Sequence, residues 1–493
     1  MVNLKEDYKL PNESILDEVY DEELFEQRND EFVEKIIQEI QESFYNHNLK
    51  VDLIGVSRGY NSTKLRYEYF DPEKLKTELP SEKIKSIISD ATDSDKINVS
   101  DIVLAEPYEN LTVLFTVNVQ HQWLKDFSFS KLYSNAKPNV APNFSFYGDV
   151  KGNPCFENIN DCKLITIAGE NEKAVTQTAR DLLLATTFYF KPNELKFIIF
   201  DTTDYLDCFN GTPSMYFGRV EKDLNLLYET LIYLNNLASK RKDLLTQAKL
   251  RDIATYNENS EDKMEYIWVV INDFQKVREF YGPNAIRLCK YLVELTKLGE
   301  ITGIHFLISS PHILGDPFSP EVRVAASLRL ALKIENIVGR FMALGKKFPT
   351  SLSERADAFL YHYGKDVKRV IPATFRDAEA LAICEHLNSF NEKDFHEKEY
   401  EYVKQLYEKE GLLGPNNTPE ARRFNLIKEA LRAGKKRGKI NQTILQNLLF
   451  IEGYEAKSIM QELLEKNYIA RNGFYYFVVI TDEEFEKLFG EKF

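Results

Sequence analysis

Apolar positions recur at helical spacing from Glu23 to about His47, where Phe32, Val33, Ile36, Ile37 and Ile40 share one side. Strand-like runs follow at Val51 to Val56, Thr63 to Tyr69 and Leu111 to Val117, with a short helix near Ser81 to Ser89. The rhythm then changes. Near-continuous apolar runs at Lys163 to Gly169, Leu195 to Asp201, Tyr266 to Asp273 and Ile304 to Ser310 alternate with helical stretches: one through about Phe188, a long one from about Val220 to Leu250, and one from Ala285 to Leu298. Strands apolar on both faces and separated by helices belong to a parallel sheet covered on both sides, so the fold class is α/β. Three short strands (Leu328 to Ile334, Ala358 to Tyr363, Val367 to Thr374) and two helices complete this core by about Glu410. Turn residues from Gly411 to Pro419 mark a linker, and three helices and a strand from Gly473 to Val479 follow it, the order of a winged helix.

The expected organisation is a loose tail (1–22), an α+β domain (23–150), the α/β core (151–411), a linker (412–420) and a C-terminal winged helix (421–493). A length of 493 residues allows about three domains, and 43% hydrophobic with 28% charged residues excludes a disordered or fibrous chain. The net charge of −14 means that any grip on a polyanion must come from a local basic surface. The five cysteines are odd in number and lack CxxC spacing, so neither a disulfide framework nor a zinc ribbon is expected. The seven histidines show no ligand pairing, and His305, inside a strand, reads as a satisfied core residue rather than a metal ligand. No segment approaches about 18 consecutive apolar residues and the N-terminus lacks a signal-like apolar core, so the expectation is a soluble, cytoplasmic protein with no membrane span.

Four short segments, in this order, give the chain a family resemblance. Tyr147-Gly148-Asp149-Val150-Lys151-Gly152-Asn153-Pro154, Phe209-Asn210-Gly211-Thr212-Pro213, Gly303-Ile304-His305-Phe306-Leu307-Ile308 and the run from Gly453 to Met460 together resemble the motor region of FtsK/SpoIIIE-type DNA translocases. The resemblance runs from about residue 30 to 480. It implies an N-terminal α domain, a RecA-like core of P-loop NTPase type and a winged-helix γ domain that binds DNA. It also implies a ring of copies around duplex DNA, a homo-oligomer whose joints are bridged by nucleotide.

The residues that would carry ATP chemistry depart from the family. A phosphate loop needs glycines for close backbone approach, a lysine for charge and a hydroxyl for magnesium. After the strand ending at Ile167 this chain has Ala168-Gly169-Glu170-Asn171-Glu172-Lys173-Ala174, about two residues short. Lys173 falls at the lysine's place, Ala174 stands where the hydroxyl belongs, and Glu170 and Glu172 set carboxylates at the helix start, where either would cap it. The Walker B strand should end in Asp-Glu, but Asn272-Asp273 puts an amide where the metal-organising carboxylate belongs. Asp201 and Asp273 end strands at the edge where ligands bind in such sheets, or serve as cap and turn formers. Arg340 matches the family arginine that reaches a neighbour's phosphates, or is an ordinary surface arginine. Lys173, Asp273 and Arg340 are therefore catalytic remnants at most, Gly169, Glu170, Lys173 and Ala174 a degenerate nucleotide loop, and no cofactor is expected.

The C-terminal segment carries the opposite charge to the whole. Eight cations (Arg422, Arg423, Lys428, Arg432, Lys435, Lys436, Arg437, Lys439) face one acid, Glu429, between residues 421 and 445. With Lys457 and Ser458 on the following helix and Arg471 before the wing, they form the expected contact with double-stranded DNA. The leading expectation is a DNA-binding pseudo-translocase, a scaffold or accessory in DNA replication, segregation or transfer, partnered with an active motor or recombination factor. Its rivals are an active ATP- and magnesium-dependent translocase with a divergent site, and a protein-binding coupling subunit of a secretion or conjugation system.

Overall fold

The computed structural model describes residues 22–70, 81–91, 97–98, 112–121, 127–136, 142–311, 318–346, 357–389, 395–410, 419–449, 453–473 and 475–490, besides 10–11 and 15–16. Most of the expected tail (1–22) and of the linker (412–420) lies outside these residues.

The first unit has helix α1 (Glu22–Asn46), strands β1 (Val51–Arg58) and β2 (Ser62–Phe70), helix α2 (Ser81–Ala91), and strands β3 (Ile97–Asn98) and β4 (Thr112–Gln120). The strands pair antiparallel in the order β1-β2-β4-β3. Ile36, Ile40 and Phe44 of α1 and Ile88 of α2 pack with Leu65, Tyr67, Phe115 and Val117 of the sheet, which uses the alternate residues of each strand.

The second unit contains α3 (Phe129–Asn135), β5 (Asn143–Asp149), β6 (Pro154–Asn158), β7 (Leu164–Ala168), α4 (Glu172–Thr186), β8 (Leu195–Phe200), β9 (Met215–Glu221), α5 (Asn225–Ala248), α6 (Ile253–Asn259) and β10 (Tyr266–Ile271). It continues through α7 (Phe274–Tyr281), α8 (Ala285–Thr302), β11 (Ile304–Ser310), α9 (Pro320–Ala325), β12 (Leu328–Ala331), α10 (Ile337–Leu344), β13 (Ala358–His362), β14 (Val367–Pro372), α11 (Asp377–Asn388) and α12 (Glu397–Glu410). Ten strands form one sheet in the order β6-β5-β14-β13-β12-β7-β11-β10-β8-β9. From β12 to β9 every neighbouring pair is parallel, and β13, β14, β5 and β6 continue the sheet antiparallel. This is the α/β core expected from the sequence.

Both faces of the parallel strands are buried, which explains their unbroken apolar runs. Ile165, Ile167, Phe197, Ile199, Trp268 and Val270 point into one core, while Leu164, Ile198, Phe200, Ile267, Val269 and Ile308 point into the other.

Three sequence expectations need correction. Val220 begins no helix: it lies in edge strand β9, and α5 starts only at Asn225. Only Lys222, Asp223 and Leu224 separate β9 from α5, so the short strand is not set off from the helix in the sequence. The division at residue 150 falls inside the β5–β6 hairpin, and β5 pairs with β14 in the large sheet. The expected single C-terminal strand is a hairpin.

That hairpin belongs to the last unit: α13 (Pro419–Arg437), α14 (Gln442–Leu449), α15 (Gly453–Glu465), β15 (Ile469–Asn472), β16 (Tyr475–Val478) and a final helix α16 (Asp482–Phe489) absent from the sequence reading. Leu426, Leu431, Leu445, Ile459, Leu463 and Phe485 form its own core. Among the described residues no helix is long and apolar enough to cross a membrane.

Candidate functional site

Parallel strands end together, so the C-terminal edges of β7, β8, β10 and β11 bring Gly169, Asp201, Asn272 and Ser309 to one rim of the sheet. In open α/β sheets ligands bind outside this rim.

The turn from β7 into α4 is short and already filled. Gly169 is buried, and a Cβ there would come within 2.8 Å of Val175 Cγ2 and 3.0 Å of Leu332 Cβ, so the glycine serves packing. The N-cap is Asn171, whose Oδ1 accepts from Ala174 N at 3.0 Å. This corrects the expectation that Glu170 or Glu172 caps the helix: an amide oxygen does so instead. Glu170 leans away, its Oε1 accepting from Glu335 N at 3.1 Å. Glu172 and Lys173 stay exposed on the first turn, and Ala174 is half-buried.

The neighbouring strand ends form a connected polar network. Asn272 is 2% exposed and its Nδ2 donates to Asp201 Oδ1 and Thr203 Oγ1, both at 2.9 Å, while Ser309 Oγ donates to its Oδ1. Asp201, fully buried, also accepts from Thr203 N at 2.9 Å, Thr203 Oγ1 at 2.6 Å and Leu206 N at 3.0 Å. Burial alone would push the Asp201 carboxyl up, but the donors Asn272, Thr203 and Leu206 hold it below the usual range. Asp201 thus takes the turn-forming role that the sequence left open beside a ligand-facing one.

Asp273 takes the capping role. Its backbone is left-handed (φ 58°, ψ 69°), which turns the side chain back over α7 so that it accepts from Lys276 N at 3.3 Å. One turn on, Lys276 Nζ lies 3.1 Å from Asp273 Oδ2 and 3.7 Å from Glu172 Oε1. An ammonium therefore joins the acid after β10 to the first turn of α4. Burial works against its charge, but Asp273 first and Glu172 after it raise the Lys276 pKa above its ordinary value. Lys276, Thr203 and Ser309 escaped the sequence reading. The signal was present in Asp273 and Lys276 at i,i+3 and in polar residues at the ends of the buried strands β8, β10 and β11.

Arg340 is 8% exposed on α10, so in this structure it is a buried side chain and not a projecting one. His305 is a core residue, but neither ring nitrogen has a hydrogen-bond partner, which corrects the expectation of a satisfied histidine. Burial, with Lys163 and Arg241 adding to it, pulls its pKa down to about 3. Among the described residues no group of three or more His, Cys, Asp or Glu side chains is arranged to hold a metal ion.

In the C-terminal unit the basic residues divide into engaged and exposed groups. Arg423 Nε donates to Glu462 Oε2 at 2.7 Å and its Nη2 to Ser458 Oγ at 2.8 Å, bolting α13 to α15. Arg423 and Ser458, predicted DNA contacts, are thus occupied by one another. Lys435 bonds Asp482 at 2.9 Å, Lys439 lies over the Tyr475 ring, Arg471 Nε donates to Gly473 O at 3.2 Å, and Lys428 is buried. Lys436, Arg437 and Lys457 are exposed. The Arg422 side chain lies outside the described residues.

No family model matches the chain. The sheet order and the rim define an α/β protein built on a mostly parallel sheet. More particularly, the chain is similar to proteins named DNA translocase FtsK: 21% identical over 381 residues to that of Clostridium acetobutylicum, covering 75% of this chain and 46% of the relative. Against that of Caldanaerobacter subterraneus subsp. tengcongensis it is 21% identical over 450 residues, 90% of this chain and 60% of the relative. The FtsK resemblance read from the motifs therefore extends over most of the chain, which spans about half the length of these curated relatives. A structure of the pCW3 conjugation coupling protein TcpA, a monomer with ATPγS, overlaps with a TM-score of 0.49 at 15% identity, covering 72% of this chain and 99% of that one.

Proposed function

We propose that this chain is an FtsK-like pseudo-translocase: a DNA-binding protein that keeps the translocase architecture, does not run on ATP, and works as a DNA-bound scaffold or accessory in DNA replication, segregation or transfer. The observation that carries this reading is the closed rim. Magnesium triphosphate needs free backbone N–H groups, a metal-organising carboxylate and a hydroxyl ligand together. Here Asn171 takes the Ala174 N–H, Asn272 replaces the carboxylate and spends its amide on Asp201 and Thr203, and Ala174 offers no hydroxyl. Lys276 neutralises Asp273 where a metal would draw on it. Glu170 and Glu172 on the rim would repel a polyphosphate. The residues present do not fit the nucleotide.

Helices α13 to α15 with hairpin β15–β16 supply the DNA-binding part, a winged helix in which α15 enters the major groove and exposed cations grip phosphates. Lys436, Arg437 and Lys457 are its chief contacts, since Arg423 and Ser458 are bonded to each other. Titration calorimetry tests both halves on the full chain. The reading expects duplex binding that weakens with salt and no binding of magnesium ATP below millimolar concentration. Micromolar ATP affinity would overturn it in favour of a working translocase, and no duplex binding at low salt would favour a protein-binding subunit.

A further inference from the structure

Between the large sheet and the C-terminal unit lies a cleft of about 540 Å³ that neither the rim nor α15 uses. One wall is α8, with Arg287 and Lys290, and the other is α13, with Arg432, Lys435 and Lys436. The walls are held close because α13 and α14 pack against the 3-10 turn Gly282–Asn284 that leads into α8. Two carboxylates temper the charge: Glu429 bonds Arg432 at 3.1 Å and Asp482 bonds Lys435 at 2.9 Å. The lining itself carries five cations and one carboxylate, Glu429, in a chain whose total is −14. Arg432 is held in place besides by lying over the Phe485 ring, 5.5 Å from its centroid.

We propose that this cleft is a phosphate-backbone site, where one strand of a DNA duplex bridges α8 and α13 and pins the C-terminal unit to the large sheet. The proposal rests on the DNA-binding reading above and adds to it a second wall, Arg287 and Lys290, that lies outside the C-terminal unit. The state of the cations chooses the ligand. Lys290, Lys435 and Lys436 are exposed and Arg287 and Arg432 half-buried, so a small anion here keeps its water and gains little from any one of them. A polymer carrying a charge about every 1.7 Å engages several at once and releases its counterions. The volume seats a length of sugar-phosphate chain, with the duplex lying across the opening.

The test measures binding of the full chain to a fluorescent mixed-sequence duplex across a salt series. Charge reversal on α8, Arg287→Glu with Lys290→Glu, is expected to lower the slope of log affinity against log salt by roughly 2, about 0.9 for each lost phosphate contact. Reversal of Lys240 and Lys242, exposed on α5, carries the same charge change and is expected to leave the slope intact. The charge-preserving pair Arg287→Lys with Lys290→Arg should keep the wild-type slope, which separates lost contacts from misfolding. An unchanged slope in the α8 reversal, with wild type binding normally, overturns this site and leaves the DNA-binding reading standing. Absence of duplex binding by wild type overturns both. If the reversal removes binding of inorganic tripolyphosphate while duplex binding is untouched, the cleft serves a free polyanion and the backbone proposal falls.

Discussion

The ammonium of Lys276 should be coupled energetically to Asp273, and a double-mutant cycle reads that coupling. At 3.1 Å two unit charges attract by about 5 kcal/mol in an effective dielectric of 20. Asp273 is 1% exposed, but the Lys276 side chain is 41% exposed, so water screens much of this and about 1–2 kcal/mol should survive. Lys276→Met keeps the aliphatic stem and removes the charge, and Asp273→Asn keeps the cap oxygen and removes the other charge. Trp268, 1% exposed in β10, reports unfolding of this core, and a Trp123→Phe background makes it the sole tryptophan. Urea titration should show each single variant destabilised and the double variant losing less than the sum by about 1–2 kcal/mol. Because the pairing raises the Lys276 pKa, the coupling is present at neutral pH and is lost as pH rises through that pKa. Single-variant losses that add within about 0.3 kcal/mol would refute the closed-rim reasoning.

Further outcomes follow from the buried charges. His305 stays neutral in the folded chain down to about pH 3, whereas an unfolded histidine takes a proton below about pH 6.5, so stability falls with pH between those values, by about 2 kcal/mol at pH 5. His305→Leu should reduce that slope by nearly one proton, and an unaltered slope would contradict the assignment. Arg180 bonds Asp181 at 3.0 Å, Asp377 at 2.6 Å and the Phe375 carbonyl at 3.0 Å, tying α4 to α11. Arg180→Ala should cost about 3–5 kcal/mol in the same urea assay, since Asp181 would be left buried without its partner. Charge reversal of Lys436 and Arg437 should weaken binding to every duplex sequence alike and flatten the salt dependence; loss of binding to one sequence alone would contradict phosphate contact.

The parallel core was legible because strands buried on both faces write unbroken apolar runs between amphipathic helices, as at Leu164–Ala168 and Ile304–Ser310. Strand β9 was not, because its run passes into α5 after only three residues. Pairing of β5 with β14 joins segments about 220 residues apart, which no local period records. At the rim Ala174 and Asn272 were legible directly as residue types that differ from the resembled motifs. The network did not follow, since Asp201, Asn272 and Ser309 meet only through strand order, and Lys276 reaches Glu172 only through the fold. Arg423 with Glu462 shows the same limit: a basic cluster in sequence does not reveal which of its cations the fold has already paired.

The most direct test of the whole account is ATP turnover by the purified full chain with magnesium, measured with and without duplex DNA. The closed rim predicts no DNA-stimulated hydrolysis and no difference between wild type and Lys173→Ala. Stimulated turnover on the order of 1 per second or faster, abolished by Lys173→Ala, would contradict it.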